Sequence, residues 1–151
     1  MKFVRPLVSL LVVINTTIFL LLSVLHFYWA FGGKLWLDAV LPTNSSGTQQ
    51  LNPTTTAALI IAFGLLCLAL VTLGNRGLFD KYLKRNYFRY GVLAIAIVFF
   101  LRAIGDFRFI GFFKIVTATR FGANDTQIFS PLCVFIGLLS LLIFICGRNK
   151  A

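Results

Sequence analysis

Residues 6–31 read PLVSLLVVINTTIFLLLSVLHFYWAF, a run without a single Asp, Glu, Lys or Arg. An α-helix rises about 1.5 Å per residue, so about 20 apolar residues cross the ~30 Å hydrocarbon core of a bilayer. Three further apolar runs of similar length follow at residues 56–73, 87–105 and 131–147. The four runs predict an all-α, polytopic membrane protein, a bundle of four transmembrane helices with two long outer loops.

The composition agrees with a protein that lies mostly within a bilayer. Of its 151 residues, 59% are hydrophobic and 12% are charged, and a soluble domain of this size could not bury so much apolar surface. We therefore treat residues 1–151 as a single transmembrane domain. The first run is too long for a signal peptide and is followed by no small-residue cleavage site, so we expect a retained helix.

The net charge of +10 indicates orientation in the membrane. The basic residues lie at the ends of the runs and in loops, not along one solvated face, so we expect no nucleic-acid partner. They are dense before the first run, in the short loop at residues 74–86, and after the last run. The positive-inside rule then predicts a multi-pass protein with both termini in the cytoplasm.

The three cysteines are candidates for a disulfide, a metal site or a reactive thiolate. Cys67, Cys133 and Cys146 have no close spacing, which indicates neither a disulfide framework nor a zinc site, and we predict no metal and no cofactor. Ser130 and Pro131 are typical of an N-cap followed by the first residue of the last helix. Cys133 would then lie where the helix dipole favours a thiolate.

The polar face of the first run allows two interpretations. Asn15 and His26 lie about 20° apart around a helix axis, beside small polar residues. Such a face normally packs against other helices, with His26 hydrogen-bonded across the bundle. Alternatively, His26 opens onto an outward pocket as a proton-transfer group or a ligand donor.

The third run ends in a pair of opposite charges. Arg102 and Asp106 are four residues apart, so they can pair on one helix face and hold a loop to the helix. The alternative is an anion or headgroup site on Arg102, with Asp106 as an acid or base. Asp125 and Ser130 lead into the last run on the same predicted side.

Three ordered segments carry a family resemblance: residues 26–33 (HFYWAFGG), residues 102–107 (RAIGDF) with Gly111, and Phe121 with Asp125, Thr126 and residues 130–133 (SPLC). They resemble the uncharacterised bacterial four-helix membrane family known as domain of unknown function 3995. The resemblance spans nearly the whole chain and implies a small protein of the bacterial cytoplasmic (inner) membrane. It implies no activity, so no catalytic role comes with it.

Three classes of function remain open, and we favour binding or bracing over catalysis. The first is an outward-facing polar site for a lipid headgroup or small polar ligand. The second is a structural or assembly protein whose motifs only brace loops to helices. The third is a membrane enzyme on a lipid-like substrate, with His26 and Asp106 in proton transfer. Membrane lipids are expected partners, and a homo-oligomer stays open. The candidate ligand-binding residues are His26, Tyr28, Trp29, Arg102, Asp106, Asp125, Ser130 and Cys133.

Overall fold

The computed structural model describes residues 4–41 and 54–147. The charges at Lys2, Arg148 and Lys150, used above for orientation, lie outside these ranges, and the orientation stays a prediction. Every regular element in the described ranges is helical, in this order: α1 (Val4–Ala30), α2 (Leu37–Val40), α3 (Thr55–Gly74), α4 (Arg85–Ile104), α5 (Arg120–Asn124), one π-helical turn (Asp125–Phe129) and α6 (Ser130–Cys146).

Four helical stretches are long and apolar enough to cross a membrane, and they confirm the predicted four-helix fold. They are Arg5–Ala30, Thr55–Gly74, Arg85–Ile104 and Arg120–Cys146. Large apolar side chains such as Leu21, Ile60 and Val98 lie exposed on the outside of the bundle, where a bilayer would solvate them.

The helices pack as two main pairs, α1 on α3 and α4 on α6, and α6 also contacts α1. Buried side chains at the centre include Val12, Phe19, Val92, Ile136 and Ile143. Successive long helices alternate in direction. One end of the bundle therefore carries the start of α1, the loop 75–84 and the end of α6, and we call it the terminal end. The capped end carries segments 31–41 and 105–119.

The polar face of α1 packs inside the bundle, as the packing interpretation predicted. Asn15 is fully buried, and its Nδ2 donates to Ser140 Oγ on α6 at 3.0 Å. Ser23 Oγ donates to the Ala62 carbonyl oxygen on α3 at 2.8 Å. Interhelical hydrogen bonds of this kind fix the rotation of one membrane helix against its neighbours.

The last span differs from its predicted form. It begins at Arg120 instead of Pro131, and it continues through the proline by way of the π turn. A proline inside an α-helix lacks an N–H and clashes with the carbonyl one turn earlier, and the π turn interrupts the regular α-helical bonding directly before this proline. Ser130 has helical φ and ψ of −67° and −43° and is the first residue of α6, so it is not an N-cap, and its interpretation as an N-cap was wrong.

Candidate functional site

The chain turns sharply where α4 ends, because two glycines take up a left-handed conformation there. Gly105 has φ of +94° and Gly111 has φ of +88°. A Cβ on Gly105 would overlap the carbonyl oxygen of Ile110, and one on Gly111 would overlap that of Ile104. Only glycine fits such positions without strain. The turn directs the 105–119 segment back across the capped end.

Asp106 organises this turn. Its Oδ1 accepts the N–H groups of Arg108, Phe109 and Ile110 at 2.9, 2.7 and 2.9 Å. Desolvation alone would raise the pKa of Asp106, but the backbone donors outweigh it and hold the pKa below its ordinary value. The expected pair with Arg102 does not form: Asp106 lies beyond the helix, after the left-handed Gly105, so the i,i+4 geometry of a helix does not apply.

Arg102 pairs instead with Asp125, which is fully buried at the start of the π turn. Arg102 Nη2 donates to Oδ1 at 2.7 Å. Oδ2 accepts from the Gly111 N–H at 2.7 Å, from Lys114 Nζ at 3.1 Å and from Ser130 Oγ at 3.1 Å. Both carboxylate oxygens therefore have partners, as a buried charge requires.

Lys114 completes the arrangement from within the 105–119 segment. Its side chain is 1% exposed, and Nζ donates to the Gly111 carbonyl at 2.9 Å, to Asp125 at 3.1 Å and to Thr126 Oγ1 at 2.6 Å. These three acceptors match the three donors of an ammonium group. We call Arg102, Lys114, Asp125, Thr126 and Ser130 the ion cluster.

The π turn brings two members of the ion cluster together. The Ser130 N–H donates to the Asp125 carbonyl, and the Ser130 hydroxyl donates to the Asp125 carboxylate. A π turn bonds residues five apart, and this places the two side chains at one point.

The ion cluster has an excess of positive charge, since one carboxylate serves two cations. Arg102 Nη1 is buried without a hydrogen-bond partner, although the arginine side chain as a whole is 31% exposed. The chemistry of this corner therefore favours an anion over a cation. No group of three or more His, Cys, Asp or Glu in the described ranges could hold a metal ion.

His26, Tyr28 and Trp29 lie on α1 and brace the segment that follows it. His26 Nδ1 lies 2.8 Å from the Leu22 carbonyl oxygen within the same helix, and no hydrogen bond from His26 across the bundle is found among the described residues. The His26 ring stands edge-on to Trp29 at 4.9 Å, and Trp29 Nε1 donates to the Leu35 carbonyl at 2.9 Å.

Tyr28 fills the space beside Gly33. It also lines an apolar groove of about 420 Å³, together with α1 leucines, Leu35 and Trp36. No residue of the ion cluster lines this groove. Among the described residues, no hydrogen bond joins the three α1 side chains to the ion cluster.

The remaining candidates for chemistry are His26, Asp106 and Cys133. His26 and Asp106 are each hydrogen-bonded to the backbone of their own segment, and no contact described for either residue joins them. Cys133 is buried on α6 and forms no disulfide. Because α5, the π turn and α6 are continuous, Cys133 does not stand at a free helix N-terminus, and the dipole argument for a thiolate fails.

Sequence reasoning did not assign two residues to the site: Lys114, and Thr126, which was named only within a family-like segment. Lys114 stands alone among Phe112, Phe113 and Ile115, and a single cation within an apolar run could have indicated a buried, paired charge. Thr126 follows Asp125 directly, but nothing in the sequence indicates that it faces Lys114.

A comparison with protein families gives a match along most of the chain. The model of the family described as protein of unknown function DUF3995 matches residues 19–140. The chain belongs to this family. The match includes the whole ion cluster and confirms the resemblance read from the sequence. No curated protein and no solved structure matches the chain. Family and fold together identify an integral membrane protein, and the family supplies no biochemical role.

Proposed function

We propose that this protein is a structural or assembly protein of the membrane, whose motif residues brace the capped end into a fixed surface. The observation that carries this proposal is the donor set of Asp125. Its donors come from three parts of the chain: Arg102 from α4, Gly111 and Lys114 from the 105–119 segment, and Ser130 from α6. One buried carboxylate thus ties a loop to two membrane helices.

The energetics of burial support a bracing role. A buried carboxylate is costly unless it is paired and hydrogen-bonded, and removal of one partner leaves an uncompensated charge. Asp125 and Lys114 meet this requirement with partners from the chain itself. Opening the 105–119 segment would break these bonds together, so the segment is held as a unit.

The braced segment carries exposed apolar side chains. Phe107, Phe112, Phe113 and Ile115 are 59%, 46%, 64% and 81% exposed, and the Phe107 and Phe113 rings contact each other. Large side chains of this kind fit the interfacial layer of a bilayer or the surface of another membrane protein. A fixed apolar platform at the capped end supports an assembly role.

A second candidate is the binding of a lipid headgroup or small polar anion at the capped end. It is favoured by one observation, the buried and unpartnered Nη1 of Arg102 in a cluster with excess positive charge. The ligand would carry a phosphate or carboxylate group, which the guanidinium fork recognises.

Hydrogen exchange of purified protein in detergent tests the bracing role. We expect Asp125→Asn to lower the protection of amides 105–119, because Arg102 and Lys114 lose their shared counter-charge. Arg108→Gln is the matched control: Arg108 is exposed and stacks only on the Phe109 ring, 5.1 Å away. Unchanged protection in Asp125→Asn would contradict bracing.

Native mass spectrometry of the same samples separates the two candidates. Arg102→Lys keeps a charge for Asp125 but has no Nη1. If the wild type retains an anionic lipid or small anion that Arg102→Lys releases, ligand binding replaces bracing as the leading function. If no such molecule is retained, the ligand candidate is contradicted.

A further inference from the structure

Arg89 lies on α4 one turn from its start, at the terminal end, and is half-buried. Its guanidinium carbon lies 4.7 Å from the centre of the Phe144 ring on α6. Its Nε is buried without a hydrogen-bond partner. Arg89 is thus a partly desolvated cation held against an aromatic face.

The neighbouring side chains do not neutralise Arg89. Arg85, four residues earlier, is itself a cation, and its Nε and Nη2 donate to the Asn75 carbonyl at 3.2 and 2.9 Å. Of the described carboxylates, Asp106 and Asp125 lie at the capped end, and no ion pair joins Asp80 to Arg89. A cation beside lipid with no counter-charge among the described residues favours an external anion.

The surroundings indicate what that anion is. Residues 75–89 hold five cations, Arg76, Lys81, Lys84, Arg85 and Arg89, against the single carboxylate of Asp80. Tyr82, Tyr87 and Tyr90 are exposed in the same region, which is typical of the membrane–water interface. Cations at the membrane–water interface attract anionic lipid headgroups. A small dissolved anion is favoured less, because it would have to leave its hydration shell in bulk water to bind there.

We propose that the terminal end binds an anionic phospholipid, with the headgroup phosphate against the guanidinium of Arg89. Phe144 holds the guanidinium plane from one side through the cation–π contact. The remaining N–H groups form a fork suited to phosphate oxygens. Lys81 and Lys84, which are exposed, raise the local concentration of anionic lipid without contacting the bound molecule. This site is separate from the ion cluster and does not depend on the bracing role.

Titration of lipid onto the delipidated full-length protein, followed by native mass spectrometry, tests the proposal. Phosphatidylglycerol is the probe, and phosphatidylcholine is the zwitterionic comparison. We expect Arg89→Gln to weaken the first phosphatidylglycerol bound by roughly tenfold, the effect of losing a charged hydrogen bond. Lys84→Gln is the matched control, since it removes one charge at the same end but from an exposed side chain, and we expect less than about a twofold change.

Several outcomes would overturn the proposal. Equal losses in Arg89→Gln and Lys84→Gln would mean diffuse attraction and no site at Arg89. Equal binding of phosphatidylcholine by the wild type would rule out selection of an anionic lipid. Displacement of the lipid by inorganic phosphate would assign the site to a free anion. Arg89→Lys keeps the charge and serves if the glutamine variant does not fold; it should also bind phosphatidylglycerol more weakly, and unchanged binding would contradict recognition by the guanidinium.

Discussion

Two arginines on α4 have opposite environments, and the difference separates structure from binding. Arg102, at the capped end, has the Asp125 carboxylate 2.7 Å away. Arg89, at the terminal end, lies over the Phe144 ring, and no described carboxylate pairs with it. A charge compensated within the chain fixes the fold around it, whereas an uncompensated one remains available to an external partner. The contrast leads to four predictions.

The largest effect is expected at Asp125. Replacement of Asp125 by Asn leaves two cations at the capped end without their counter-charge, and breaking a buried pair costs about 3–5 kcal/mol. Chemical or thermal unfolding in detergent should show this loss. A cost below about 1 kcal/mol would mean that Asp125 does not differ from an exposed carboxylate.

Lys114→Met is expected to lower the stability of the protein by an intermediate amount. It removes three hydrogen bonds from a buried ammonium group but leaves Asp125 with Arg102, Gly111 and Ser130. We expect a loss of about 1–3 kcal/mol and faster hydrogen exchange in the 105–119 segment. Arg108→Met in the same segment should stay within about 0.5 kcal/mol, and equal effects of the two substitutions would argue against a buried brace.

The two arginines can be compared directly by one substitution at each end. In detergent without anionic lipid, Arg102→Gln should destabilise the protein by about 1–3 kcal/mol, because Asp125 loses a charged hydrogen bond. Arg89→Gln should change stability by only about 0.5 kcal/mol. Added phosphatidylglycerol should raise the melting temperature of the wild type and of Arg102→Gln, but not that of Arg89→Gln. A reversed order of stability would invalidate the contrast.

The smallest expected effect is the loss of the stability contributed by Asp106 at acidic pH. Its folded-state pKa is lowered, so its contribution to stability is present above the unfolded pKa and is lost as the pH falls through the folded one. The melting temperatures of the wild type and Asp106→Asn should therefore differ at neutral pH and converge in acid. Because Asp106 is exposed, the difference in melting temperature should be small. A difference that stays constant at all pH values would contradict a stabilisation of the ionised carboxylate by the backbone donors.

The spans could be predicted from the sequence because a lipid-crossing helix is decided locally, by a run such as residues 6–31. The end of α4 at Gly105 is also local. The pairing of Asp125 with Lys114 is not, because it depends on how a loop folds back over eleven residues. The helical pattern of Arg102 and Asp106 was misleading, since the left-handed Gly105 intervenes. Pro131 lies in the first turn of α6, as predicted, but the span extends back to Arg120 through a π turn of which the sequence gives no sign. The orientation in the membrane stays a prediction.

The π turn also sets the rotational phase of the last span. Each residue of an α-helix turns the chain by about 100°, so one additional residue in a turn rotates all that precedes it relative to all that follows. The π turn thereby fixes the face of α5 that meets α2 relative to the face of α6 that meets α4. Deleting one residue between Asp125 and Phe129 would convert the π turn to a regular α-helical turn. The hydropathy of the span would be almost unchanged, but Asp125 would be rotated away from Arg102 and Lys114.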